Sequence, residues 1–199
     1  MKILHIDSSL QGNTSTSSKI ATKLIEKLDV ENAQQQQITY RDLNVSQVPH
    51  LTDAIFNAFH TPESERSIEQ QAAAAVSDEL IDEISGSDIL IIAVPMYNFG
   101  VPSTLKAWID HIARAGKTFT YTAEGPKPLL KMPKTYVIAT RGGMHANTPA
   151  DTQAPWLEQV LKFVGVQEVE FIFVEGVAMH SADDVLINAD TRINQLLSA

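Results

Sequence analysis

No cysteine occurs among the 199 residues. Its absence removes disulfides, thiolate metal sites, iron–sulfur clusters and cysteine nucleophiles together. Positive charge is also scarce: 15 Lys and Arg against 24 Asp and Glu give a formal net charge of −9, and the cations are scattered rather than striped. The chain therefore lacks a basic footprint for nucleic acid or an anionic membrane. No apolar run approaches the ~20 residues needed to span a bilayer. The opening Lys2-Ile3-Leu4-His5-Ile6 reads as a strand, not as a basic region followed by an apolar signal segment. A soluble, cytoplasmic protein is expected.

Missing motifs narrow the chemistry further. There is no G-x-G-x-x-G for a dinucleotide fold, no G-x-x-x-x-G-K for a nucleotide loop and no G-x-S-x-G elbow. The histidines at 5, 50, 60, 111, 145 and 180 show no paired spacing, so no metal site is expected. None has an aspartate three residues before it, which weighs against one class of serine esterase. Pro95-Met96-Tyr97 closes the central strand where a phosphorylated receiver domain would need an aspartate.

What is present is a regular alternation. With 44% hydrophobic residues, positions 1–199 fit one domain with a sizeable core. Strand-like runs fall at 2–7, 36–41, 88–94, 134–140 and 168–174, separated by segments of helical period. This predicts an α/β fold, an open parallel five-stranded sheet with helices on both faces. The spacing predicts a first helix over 15–28, a long one over 62–84 ended by Ser85-Gly86, one from about 103, and one over 156–164. Residues 44–61 read as irregular, with an apolar patch at Leu51, Ile55, Phe56 and Phe59 that should pack against something. Residues 116–133 read as a long loop or hairpin, of the kind that is often functional.

In a parallel sheet the loops at the carboxyl ends of the strands share one rim, and ligands bind there. The loop after the first strand holds seven Ser or Thr between Ser8 and Ser18. One hydroxyl suffices to cap a helix; seven, with the free amides of a helix N-terminus, suit a phosphate. The loop after the third strand, Pro95 to Pro102, has a backbone fixed by two prolines and a glycine. It reads either as a turn capping the core or as a wall for a planar, hydrogen-bonding ligand. In the loop after the fourth strand, Thr140-Arg141-Gly142-Gly143-Met144-His145, paired glycines would admit a flat ligand close to the backbone. Arg141 reads equally as a ligand contact or a structural ion-pair partner, and His145 as a site residue or a surface histidine.

Ser9, Ser15-Thr16-Ser17, Met96-Tyr97-Asn98-Phe99 and Thr140-Arg141-Gly142-Gly143 resemble the cofactor loops of the FMN-dependent NADH azoreductase and NADH:quinone oxidoreductase family. The resemblance extends through Ala113 to Tyr121 and to Gly165, Glu175 and Gly176, nearly the whole chain. It implies a flavodoxin-like fold, noncovalent FMN and a homodimer with active sites at the subunit interface. NADH would deliver hydride to flavin N5 and leave, and a quinone or aromatic azo compound would then take two electrons, in ping-pong order. Ser9, Ser15, Thr16 and Ser17 would hold the FMN phosphate. Met96, Tyr97, Asn98 and Phe99, with Thr140, Arg141, Gly142 and Gly143, would contact the ring. Thr16 stands in place of a glutamine, whose contact backbone amides could supply; Thr140, in place of a serine, keeps the hydroxyl. No catalytic side chain is required beyond electrostatic assistance from His145. Phe99, Phe119, Tyr121 and Phe163 are candidate substrate walls, some from the partner subunit, with Phe163 equally readable as core. Two rivals share the architecture: an electron-carrier flavodoxin, and a non-flavin hydrolytic or binding domain.

Overall fold

A computed structural model describes residues 1–32 and 36–198. Its frame is the predicted one. Strands β1 (Lys2–Asp7), β2 (Gln37–Asp42), β3 (Ile89–Pro95), β6 (Lys134–Thr140) and β7 (Val169–Val174) form one sheet in the order β2-β1-β3-β6-β7. Every pairing in it is parallel. All seven residues of β3 are buried, because a central strand covered on both faces has no solvent side and so reads as a continuous apolar run.

Helices cover both faces. On one, α1 (Thr16–Asn32) and α6 (Ala182–Leu197) bury Ile20, Leu24, Val185 and Ile193 against Ile3, Ile91 and Ile138. On the other, α3 (Ile68–Ser85), α4 (Ser103–Ile112) and α5 (Gln153–Phe163) close over Leu4, Ile92 and Val137 with Leu80, Trp108 and Leu157. No helix of the described residues is long and apolar enough to cross a membrane.

Two segments differ from the expectation, and the 116–133 segment takes one of its two expected forms. Residues 44–61 are not all irregular: α2 (Asp53–His60) forms there, with Thr52 Oγ1 accepting from the Ile55 amide. Its Phe59 lies under the Arg114 guanidinium, 4.6 Å from the ring centroid, and edge-on to His111. The long helix does not begin at Pro62. A short 3-10 turn occupies Glu63–Glu65, and α3 begins after Ser67, which forms a capping box with Gln70. The 116–133 segment is a hairpin of β4 (Phe119–Thr122) and β5 (Gly125–Pro128). α6 lies beyond the elements read from the sequence.

The chain runs from β1 outward to β2 and then returns to the other side of β1 to build β3, β6 and β7. The loops after β1 and β3 therefore diverge, and a crevice opens between them at the carboxyl rim.

Candidate functional site

Four loops meet in that crevice. A cleft of about 250 Å3 is lined by Ser9, Gln11, Ser15, Thr16 and Ser17 after β1, by Pro95 at the end of β3 with Met96 and Tyr97 beyond it, by Thr140 at the end of β6 with Arg141 and Gly142 beyond it, and by Val177 and Ala178 after β7. An adjoining groove of about 750 Å3 shares Met96 and Tyr97 with it and is lined by Leu10 and Asn98. The predicted phosphate loop and the two predicted ring loops are thus brought together.

At the β1 end, Ser9, Ser15 and Ser17 are buried. Ser15 Oγ lies 3.1 Å from Ser17 Oγ and accepts from the Ser18 amide, so it also caps the helix. The amides of Thr16 and Ser17 precede the first intrahelical bond and have no protein acceptor among the described residues. The helix start thus presents donors and the positive end of the dipole. Ser9 Oγ approaches the Tyr97 hydroxyl at 3.4 Å, linking this loop to the next. Beneath it, Asp7 Oδ1 takes the Ser9 amide and Oδ2 the Tyr40 hydroxyl. Burial, then the charge of Asp7, pushes the Tyr40 hydroxyl up to about 12, so it stays a donor.

The β3 loop is a tight turn in which the Tyr97 amide donates to Gly100 and the Gly100 amide back to Tyr97, at 3.1 and 2.9 Å. Asn98 and Phe99 both have left-handed backbones, with φ of 50° and 62°, the signature of a type I′ turn. Asparagine tolerates this conformation; phenylalanine is strained in it. The Phe99 ring is 58% exposed and meets the His145 ring edge-on at 5.7 Å.

In the β6 loop, the carbonyls of Arg141, Gly142 and Gly143 accept from the amides of Val177, Ala178 and Gly176. Their own surroundings leave the Gly142 and Gly143 amides without a protein acceptor among the described residues. Glu175 takes the His145 and Ala146 amides at 2.5 and 2.6 Å. The side chain of Arg141 is fully buried and paired bidentately with Asp151 at 2.8 and 2.9 Å. Its side chain makes the ion pair, and Arg141 is also among the residues that line the cleft. A Cβ on Gly143 would lie 2.9 Å from His145 Nε2, so a larger residue here would displace the imidazole.

Phe119, Tyr121 and Phe163 do not line the cleft. Phe119, 5% exposed, packs on Phe163 at 4.3 Å and is edge-on to Tyr121, joining the hairpin to α5. Tyr121 is 71% exposed, and Phe163 is partly buried. Gln11, Val177 and Ala178 were missed as cleft residues. The last two supply backbone more than side-chain chemistry, and only the position of β7 beside β6 could have indicated them.

A family model described as the flavodoxin-like fold matches residues 1–197. The FMN-dependent NADH:quinone oxidoreductase of Burkholderia pseudomallei (strain 1710b) is 46% identical over 177 residues, 89% of each chain. The protein of the same name from Cellvibrio japonicus (strain Ueda107) is 42% identical over 197 residues, 99% of this chain and 98% of that one. The chain belongs to this flavodoxin-like family. Among solved structures, the FMN-dependent NADH-azoreductase from Bacillus anthracis str. Ames Ancestor in complex with FMN superposes with a TM-score of 0.88. It is 24% identical, with 99% and 97% of the two chains covered. The azoreductase from Bacillus anthracis str. Sterne gives 0.87 at 22% identity, covering 98% of each chain. At these identities the structural likeness speaks for the fold.

Proposed function

We propose that the cleft holds FMN and that the protein is a cytoplasmic FMN-dependent NADH:quinone oxidoreductase that also cleaves aromatic azo compounds. One observation carries this reading: unpaired amides and buried hydroxyls at the start of α1 lie in the same cleft as the Gly142 backbone, beside the Tyr97–Gly100 turn. That donor set fits a ligand with an anionic end and a flat, acceptor-bearing end. FMN is such a ligand, and the names of the 42–46% identical relatives carry it.

Ser9, Ser15, Thr16 and Ser17 would receive the phosphate, with the helix dipole favouring its charge. Met96, Tyr97, Asn98 and Phe99 would border the ring on one side, and Thr140, Arg141 through its backbone, Gly142 and Gly143 on the other. When bound, FMN would supply the two-electron chemistry between NADH and the acceptor, in ping-pong order. The chain's part is positional and electrostatic. The free amides of Gly142 and Gly143 would stabilise negative charge at the pyrimidine end of the ring, with His145 beside them. Leu10, Phe99 and Val101 flank the grooves around this loop, and the exposure of Leu10 and Phe99 supports a homodimer with active sites at its interface. In such a dimer the exposed Tyr121 would serve as a substrate wall for the neighbouring site, with Phe119 and Phe163 as its support.

An absorption spectrum of the isolated protein, or of protein incubated with FMN, should show bound flavin. Anaerobic NADH should bleach it and a quinone restore it. A colourless protein that takes up no added FMN would end this reading; bound flavin that NADH reduces slowly and that rests as a stable semiquinone would favour an electron carrier.

A further inference from the structure

Three consecutive side chains at the entry to α5 grip two different loops of the cleft. Asp151 holds Arg141 through both carboxylate oxygens, and its Oδ1 also accepts from the Ala154 amide at 3.1 Å. Thr152 Oγ1 donates to the Phe99 carbonyl. Gln153 Nε2 donates to the Pro95 carbonyl at 3.1 Å and the Gly100 carbonyl at 3.2 Å, tying the two ends of the β3 loop together. Asp151 and Gln153 are buried.

None of the three lines the cleft itself, although Thr152 and Gln153 line the neighbouring groove beside Phe99 and Val101; their bonds to the Pro95, Phe99 and Gly100 carbonyls hold the loop. A turn with two successive left-handed non-glycine residues persists only where its surroundings over-determine it. Here the surroundings are Thr152 on Phe99 and Gln153 on either side of the turn. Asp151 performs the same task for the opposite wall: it locks the residue directly before Gly142 and Gly143, whose amides point to no protein acceptor. Because the three are adjacent on one helix start, the spacing between the two walls is set by a rigid element.

We propose that Asp151, Thr152 and Gln153 are positioning residues that fix the separation of the two ring-binding loops, and thereby flavin affinity and potential. The proposal rests on the reading of the cleft as an FMN site. It concerns the ring end alone, so riboflavin, which has the ring and no phosphate, is the discriminating probe.

The test titrates FMN and riboflavin against apoprotein by flavin fluorescence and measures the flavin midpoint potential by dye equilibration. Gln153→Met, close in volume but without the donors of its two bonds, should weaken both flavins by the same factor of about tenfold, equivalent to ~1.4 kcal/mol. Its midpoint potential should also move, because oxidised and reduced rings lose contacts unequally. Thr152→Val should weaken both by a few-fold, and Thr152→Ser should restore wild-type binding. A purely structural role would lower apoprotein stability without moving the potential of bound flavin. Wild-type affinities and potentials in both variants, or a loss seen for FMN and not riboflavin, would overturn the proposal. Should Gln153→Met fail to fold, the Thr152 pair decides alone. Failure of the wild-type protein to bind either flavin defeats the FMN reading, and this proposal with it.

Discussion

Ser15 Oγ and Ser17 Oγ lie 3.1 Å apart, both buried, where the loop after β1 becomes α1. Two buried hydroxyls that share one hydrogen between them leave donor capacity for an anion, and a hydrogen bond to a charged group is worth about 1.5–3 kcal/mol. The double substitution Ser15→Ala, Ser17→Ala should therefore weaken FMN binding by roughly 100-fold or more, while riboflavin binding stays within about threefold. Loss of the Ser15 cap on the Ser18 amide should cost about 1 kcal/mol of stability besides. Equal losses for the two flavins, measured by fluorescence titration, would remove these hydroxyls from the phosphate site.

Asp151→Ala leaves the fully buried Arg141 guanidinium over the Phe173 ring with Glu175, at 3.7 Å, as its remaining carboxylate partner among the described residues. Breaking a buried pair on one side typically costs about 3–5 kcal/mol, and urea unfolding of the apoprotein should show a loss of that order. The exposed Lys162–Glu158 pair, four residues apart on α5, is the internal contrast. Glu158→Ala should cost about 0.5 kcal/mol or less. Similar losses in the two variants would mean that Arg141 finds another partner.

His5 is buried on β1, edge-on to Tyr40 and near Asp7. Burial lowers its pKa from 6.5 to about 4, against the opposing pull of Asp7. The neutral ring is thus favoured in the folded chain. Between pH 6.5 and 4 the unfolded chain binds this proton and the folded one does not, so the contribution is complete above about 6.5 and is lost as pH falls toward 4. The full shift corresponds to about 3 kcal/mol. Buried His111, also lowered chiefly by burial, adds in the same direction. The stability difference between pH 7.5 and pH 5 should therefore shrink in His5→Gln relative to wild type. An unchanged pH slope in that variant would show that His5 titrates normally.

The sheet was legible because β3 and β6 are apolar on both faces, a pattern only a covered parallel strand requires. α1 announced itself through Ile20, Leu24 and Leu28 at a spacing of four. α2 did not: it is eight residues long, and Phe59 is engaged by Arg114 and His111 from far along the chain. The start of α3 was written locally, in the Ser67–Gln70 capping box, but a helical period that ran back to Pro62 obscured it. Three of the four cleft loops carried visible chemistry in hydroxyls, prolines and glycines. The β7 loop, with Val177 and Ala178, carried none. Nor does any local rule connect Arg141 to Asp151, or Gln153 to Pro95; those bonds exist because α5 begins over the carboxyl rim.

Gly143 and His145 form a coupled pair, since a methyl on the glycine would occupy the place of the imidazole at 2.9 Å from Nε2. The ring is a side chain on a loop and can swing aside, so Gly143→Ala should leave global stability within about 1 kcal/mol. It should also separate His145 from Phe99 and from the pyrimidine end of the ring in the proposed site. Flavin affinity and midpoint potential in Gly143→Ala should then resemble those of His145→Ala, and the double variant should lose little more than either single one, a non-additivity expected of residues in contact. Additive losses in that cycle would mean that Gly143 is required by the ligand directly and that His145 stands apart from it.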